Sequence, residues 1–141
     1  TTIVPLITER ADIRLHNVKD AEKRVMRWQR IAHEAAKQSG RARVPEITEP
    51  RSFESFVRSG SESLRLMFSE RQGQSLKPAF AGEPSDVIAM VGSEGGWTDK
   101  ELTTASDAGW KIVTLRGRIL RAETAAIAVT ALLQNQLGDL K

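Results

Sequence analysis

The sequence predicts an α/β protein built on a parallel sheet. Three observations carry that expectation. Short apolar, β-branched runs alternate with segments whose apolar residues recur every three or four positions. One run, Val87-Ile88-Ala89-Met90-Val91, is apolar throughout, as in a strand buried on both faces. Two runs end in glycine-bearing turns that lead into helix-like segments, and a parallel sheet needs such crossovers.

The elements follow in order. Ile3-Val4-Pro5-Leu6-Ile7 is short and β-branched and reads as the first strand. Asn17 or Asp20 is placed to cap a long helix reaching about Ser39. Its apolar positions, Val18, Ala21, Val25, Trp28, Ala32 and Ala35, fall at spacings of three and four, and Gly40 supplies the stop. Pro45 and Pro50 bracket a short extended piece, and Ser52 to Arg58 reads as one or two helical turns. Leu64 to Phe68 reads as a strand, and the Gly-, Pro- and Ser-rich stretch 69–86 as a loop with a little helix. After the apolar run 87–91, Thr98 is placed to cap a helix, with Glu101 completing a capping box and Gly109 ending it. Ile112 to Leu115 is the next strand, and Glu123 to Leu137 a strongly apolar last helix. No repeat or low-complexity segment interrupts the pattern.

The 141 residues suffice for one domain with a real core. Apolar content of 40% with 28% charged residues is that of a globular protein, and no stretch approaches the length of a membrane span. No signal-like start is present, and the absence of cysteine excludes disulfides and thiolate metal sites. These features fit a reducing, cytoplasmic compartment. The chain begins at Thr1 rather than Met, as a processed product or a fragment would. The net charge of +3 is mild, but most of the 21 basic residues are Arg, whose planar fork suits phosphate and stacks on bases. A basic solvated surface explains the same composition. With no Tyr and few other aromatics, a single-strand stacking platform is disfavoured.

Ligands of parallel sheets sit beyond the carboxyl ends of the strands. Ser69 after the Leu64 strand and both glycine turns fall at such ends, so three strand ends converge on one expected site. Gly92-Ser93-Glu94-Gly95-Gly96 has neither the G-x-G-x-x-G spacing of a dinucleotide site nor the Gly-Lys-Ser/Thr of a P-loop. Taken alone it reads equally well as a structural turn. Glycine there admits positive φ and close approach of a ligand. Arg118 and Arg121 would share a face if their segment is helical. Glu123 and Thr124 suit the start of the last helix.

Taken together, Gly92-Ser93-Glu94-Gly95-Gly96 and, after a strand, Leu115-Arg116-Gly117-Arg118-Ile119-Leu120-Arg121-Ala122-Glu123-Thr124-Ala125 closely resemble the C-terminal part of a known family. It is the family of bacterial ribosomal RNA methyltransferases that make 3-methyluridine in 16S RNA, members of the S-adenosylmethionine-dependent SPOUT class. Earlier blocks agree: Thr8-Glu9-Arg10, Arg27-Trp28 with Ile31, Glu34-Ala35-Ala36, and Gln38-Ser39-Gly40-Arg41 followed by Val44-Pro45. The resemblance covers most of the chain outside 69–86. It departs at Ser93, where the family usually has Pro, at Trp97 and Thr98, where it has Phe and Ser, and at Arg116, where it has Gly. Arg116 places a Cβ and a charge next to the expected cofactor, so its effect falls on cofactor affinity rather than on the fold.

The resemblance implies S-adenosylmethionine as cofactor, with its adenosine on backbone around Phe68, Gly92, Gly96, Leu115, Ile119 and Leu120. Methyl transfer from a sulfonium is an in-line displacement, so the enzyme's main task is positioning. The uridine N3 carries a proton that a base must remove or whose loss a cation must stabilise. Glu94, the sole carboxylate in the expected cofactor loop, is the candidate base or base-orienting group. Arg121, with Arg10 and Arg41, would hold phosphate or the uracil oxygens, and Gln38 joins Arg10 and Arg41 on the substrate side. No metal is required, and His16 and His33 lack partners at ligand spacing.

The family further implies a C-terminal trefoil knot, which general topology rules would not suggest. It also implies a homodimer, 16S rRNA or the small ribosomal subunit as partner, and an N-terminal PUA-like RNA-binding domain. The block matching Thr1 lies inside the catalytic domain, so residues 1–141 are expected to be that domain, incomplete at its N-terminus and without the PUA-like part. The last helix, with Ala126, Ile127, Val129, Leu132 and Leu133, offers apolar surface for a dimer or equally for the monomer core. Two rival functions remain. A SPOUT ribose 2′-O-methyltransferase usually has a Ser-Leu-Asn-like stretch where this chain has Arg121 to Ala125. A non-catalytic RNA-binding module would fail to bind the cofactor.

Overall fold

Pro5 decides how the chain begins. It has no N–H to give to a ladder, and the expected single strand is two short ones, β1 (Thr2–Ile3) and β2 (Leu6–Ile7). The helix α1 (Val18–Gln38) comes next, then β3 (Glu46–Ile47) after Pro45 and β4 (Arg51–Ser52) after Pro50. β1 pairs in parallel with β3, and β2 in parallel with β4. The computed structural model describes residues 1–11, 18–80, 84–117, 119–138 and 140. The chain divides into two compact units, Thr1–Thr8 with Asp12–Phe56, and Glu9–Ala11 with Val57–Lys141.

In the first unit α1 lies along β3. The Gln29 side chain donates to the Pro45 carbonyl and accepts from the Ile47 amide, both at 2.9 Å, so it acts as one more strand partner. The inner arc of α1 is Ala21, Val25, Trp28, Gln29, Ala32 and Ala36. This corrects the expected apolar stripe at both ends: Val18 is 73% exposed, and Ala36 rather than Ala35 is buried. Asp20 lies in the first turn, where its charge suits the helix dipole, instead of capping it. Asn17 lies outside the described residues. Gly40, at φ +67°, ends the helix as expected.

The second unit contains the main sheet. After α2 (Phe53–Arg58) come β5 (Leu64–Phe68), the short α3 (Leu76–Ala79), β6 (Val87–Val91), α4 (Asp99–Asp107), β7 (Lys111–Val113) and α5 (Ala122–Leu137). The order is β6-β5-β7 with every pairing parallel, in agreement with the expected α/β class. β5 is therefore the central strand, and Leu66, Met67 and Phe68 are all buried. β6, expected to be covered on both faces, lies at the sheet edge with Val87 and Ile88 half-buried and Ala89 exposed. Leu66, Phe68, Ala79, Val113 and Val129 form the core. The buried Trp110 indole donates to the Val57 carbonyl at 3.1 Å, which satisfies its N–H.

The capping box of α4 is complete: Thr98 Oγ1 accepts from the Glu101 amide at 3.2 Å, and Glu101 Oε2 accepts from the Thr98 amide at 2.9 Å. Gly109, at φ +84°, follows that helix as expected. α5 buries Val129, while Ile127 is 71% exposed and Leu132 and Leu137 are also exposed. No helix among the described residues is long and apolar enough to cross a membrane.

Candidate functional site

All three strands of the main sheet run the same way, so their carboxyl ends lie together, and β5 is where the connections change direction across the sheet. A cavity of about 680 Å³ opens at that end. It is walled by Phe68 to Glu70 after β5, by the turn after β6, by the segment after β7, and by the first turns of α5. Its size lies in the range of about 300–1,000 Å³ that takes a drug-sized ligand.

The turn after β6 is held by its own neighbours. Trp97 is 1% exposed, and its Nε1 donates to the Phe68 carbonyl at 2.8 Å, tying the end of the turn to the end of β5. A Cβ on Gly92 would lie 3.1 Å from the Trp97 ring. Gly96 sits at φ +65°, and a Cβ there would lie 2.5 Å from Glu70 Oε1. The missing side chains thus make room for Trp97 and Glu70. Sequence reasoning had given that room to a ligand.

The segment after β7 turns sharply. Arg116 has φ +54° and Gly117 φ +97°, and the Arg116 amide donates to Thr114 Oγ1 at 3.2 Å. Left-handed backbone costs a residue with a Cβ about 1–2 kcal/mol. This is a backbone reason for the glycine that the resembled family carries at that place. Arg121 is the N-cap of α5 with extended backbone and no side-chain capping bond, so the helix begins only at Ala122. The shared helical face expected of Arg118 and Arg121 does not form on that side, and Arg118 lies outside the described residues.

Phe68, Gly92, Gly96, Leu115, Ile119 and Leu120, expected around a cofactor, all line this one cavity, and so do Glu94 and Arg121. None of the three residues expected on the substrate side is among those that line it. The Arg10 guanidinium donates from Nη1 to the Gly95 carbonyl at 3.2 Å and to the Trp97 carbonyl at 3.4 Å. Gln38 and Arg41 belong to the first unit, both exposed, at and just after the C-terminal end of α1. Glu70 is the lining residue that sequence reasoning missed. The available signal was its place two residues past the end of the central strand, next to Ser69.

The lining is chemically mixed. Phe68, Val91, Leu115, Ile119, Leu120 and Val129 give an apolar wall, and Glu70, Glu94, Arg116 and Arg121 bring charges of both signs to the lining. Such a cavity suits a ligand with a flat apolar part and groups of both charges.

Fold and site together define an α/β protein with a ligand cavity at the carboxyl ends of a parallel sheet. Residues 1–134 match the family model of the RNA methyltransferase domain, and the chain belongs to that family. It is 38% identical over 136 residues to ribosomal RNA small subunit methyltransferase E of Synechocystis, covering 93% of this chain and 43% of that protein. Ribosomal RNA small subunit methyltransferase E of Mesomycoplasma hyopneumoniae is 34% identical over 109 residues, covering 77% and 47%. Among solved structures, the same enzyme of Neisseria gonorrhoeae bound to S-adenosylmethionine aligns with a TM-score of 0.88 at 38% identity, covering 100% of this chain and 57% of the other. A Legionella pneumophila protein with bound S-adenosylmethionine aligns with a TM-score of 0.88 at 33% identity, covering 96% and 55%. The chain spans about half the length of these relatives.

Proposed function

We propose that this chain is the catalytic part of an enzyme that methylates N3 of a uridine in 16S ribosomal RNA with S-adenosylmethionine. The observation that carries the reading is the convergence of eight residues, expected from sequence alone, on a single cavity. The residues fit the cofactor. The apolar wall suits adenine, and the Glu70 carboxylate suits its ammonium and sulfonium cations. When bound, the cofactor supplies an electrophilic methyl group on its sulfonium sulfur.

The chain's own residues then hold and orient. Backbone at Phe68, Gly92, Gly96, Leu115, Ile119 and Leu120 seats the cofactor. Glu94 takes the N3 proton or orients the group that does, and Arg121 stabilises the negative charge left on the uracil oxygens. Gln38 and Arg41 contact RNA. The reading includes the trefoil-knotted SPOUT fold, supported by the all-parallel order β6-β5-β7 and the likeness to cofactor-bound structures. It includes a cytoplasmic homodimer, supported by the exposed apolar residues of α5. It also assigns residues 1–141 to one catalytic domain. A non-catalytic RNA-binding module is the second reading, favoured by the Arg116 side chain on the cavity wall.

Calorimetric titration with S-adenosylmethionine, followed by a methylation assay on 16S RNA, tests this. Saturable binding of one cofactor per subunit and label at uridine N3 are expected. No binding by a folded sample would leave the RNA-binding module. Label on the ribose would move the assignment to a 2′-O-methyltransferase.

A further inference from the structure

The geometry points to Glu9–Ala11 as a clamp that fixes the glycine turn from the side away from the cavity, with Arg10 as positioning residue and Glu101 as anchor. The inference rests on the cofactor reading for its functional consequence, but the clamp itself is read from contacts within the second unit.

Glu101 is 6% exposed and does two jobs. Oε2 accepts from the Thr98 amide at 2.9 Å and closes the capping box, while Oε1 accepts from the Glu9 amide at 3.1 Å. The Thr98 hydroxyl lies 3.2 Å from Glu101 Oε2 and 3.4 Å from Glu9 Oε2, so its single proton serves one carboxylate at a time. The next residue, Arg10, reaches the turn in three ways. Nη1 donates to the Gly95 and Trp97 carbonyls, its own carbonyl accepts from Ser93 Oγ at 3.4 Å, and its backbone passes so near that a Cβ on Gly95 would lie 2.8 Å from its Cβ and its oxygen. Arg71 Nη2 adds a donor to the Trp97 carbonyl at 2.6 Å and meets Asp99 Oδ1 at 3.1 Å.

Ser93, Glu94 and Gly96 line the cavity, while Gly95 between them offers its carbonyl to Arg10. The same turn therefore has a ligand side and a clamped side. A turn free to move would have to be ordered when a ligand binds, and that ordering weakens affinity. Holding it beforehand is a contribution that Arg10 makes without touching the ligand. Nη1, engaged with two carbonyls, ties the Arg10 side chain to the turn.

The test compares Arg10→Met, Arg10→Lys and Glu101→Gln with the unaltered chain by amide hydrogen exchange, S-adenosylmethionine titration and binding of 16S rRNA. Arg10 is exposed, so its variants fold. Glu101→Gln keeps one oxygen for the capping box and turns an amide toward the Glu9 N–H. In Arg10→Met and Glu101→Gln the Gly96 amide, bonded to the Ser93 carbonyl at 2.9 Å, should exchange about tenfold faster. The cofactor Kd should rise about three- to tenfold, with RNA affinity unchanged apart from the lost charge. The lysine nitrogen stands one atom short of the Nη1 that bonds both carbonyls, so Arg10→Lys should resemble Arg10→Met.

Unchanged Gly96 exchange in Arg10→Met overturns the clamp. So does a pattern in which Arg10→Met loses RNA affinity and Arg10→Lys restores it at unchanged cofactor Kd, since an ammonium serves a phosphate contact. If the unaltered chain binds no cofactor, the cofactor reading fails, and Gly96 exchange alone still decides for or against the clamp.

Discussion

Replacing Trp97 by Phe tests whether the turn after β6 is tied to the end of β5 by one indole. The substitution keeps an aromatic ring where the resembled family usually has Phe, so any loss measures what this chain's indole adds. Two terms arise. The Phe68 carbonyl loses its 2.8 Å donor in a buried setting, which costs about 1–3 kcal/mol. The smaller ring leaves unfilled space in a site 1% exposed, worth about 1 kcal/mol more. The sum is about 2–4 kcal/mol. For a chain of 141 residues each kcal/mol moves Tm by about 3–4 °C, so thermal unfolding should fall by about 6–16 °C. Circular dichroism melts with the cofactor absent read this directly. A fall under about 2 °C would refute the reasoning, because neither the hydrogen bond nor the indole packing would then be holding the turn.

Two further outcomes follow from the cavity wall. Leu120→Arg should abolish S-adenosylmethionine binding in calorimetry while shifting Tm by less than about 2 °C, since Leu120 is 40% exposed and lines the cavity. Arg116→Gly should leave stability equal or raise it by up to about 1 kcal/mol in denaturant unfolding. Relief of the φ +54° strain is set against the greater freedom of glycine in the unfolded chain. It should also tighten cofactor binding a few-fold, because it removes a cation beside a ligand that carries net positive charge.

Local signals in the sequence were the reliable ones. Thr98 with Glu101, Gly40 and Gly109 each act within one turn of chain, and each does in the structure what its spacing implied. The run Leu64 to Phe68 was readable as a strand, but its place at the sheet centre was not. Which strand is central depends on the order of the crossovers, and apolarity alone had favoured Val87 to Val91. The split at Pro5 was in principle legible from its missing N–H. At the site, glycine turns at strand ends sufficed to name the cavity wall, because a parallel sheet gathers those ends in one place. The bonds of Arg10 to the turn were illegible for the opposite reason. Its partners at Gly95 and Trp97 are 85 and 87 residues away, and nothing in the local sequence announces a bond of that range.

The way Gly92, Gly95 and Gly96 are hemmed in has a consequence for how this turn can change over generations. Each glycine is matched to a different neighbour: the Trp97 ring, the Arg10 backbone and the Glu70 carboxylate. A first mutation at any of these glycines meets an occupied space, whereas the same mutation after a change at the neighbour does not. The order of substitutions therefore matters at Gly92, which should form an epistatic pair with Trp97, whereas Gly96 at φ +65° stays strained with any side chain whatever stands at position 70. Gly95 lacks this escape, since the atoms it meets include an Arg10 backbone oxygen that every residue type carries. Of the three, Gly95 and Gly96 are the positions at which drift is most nearly forbidden.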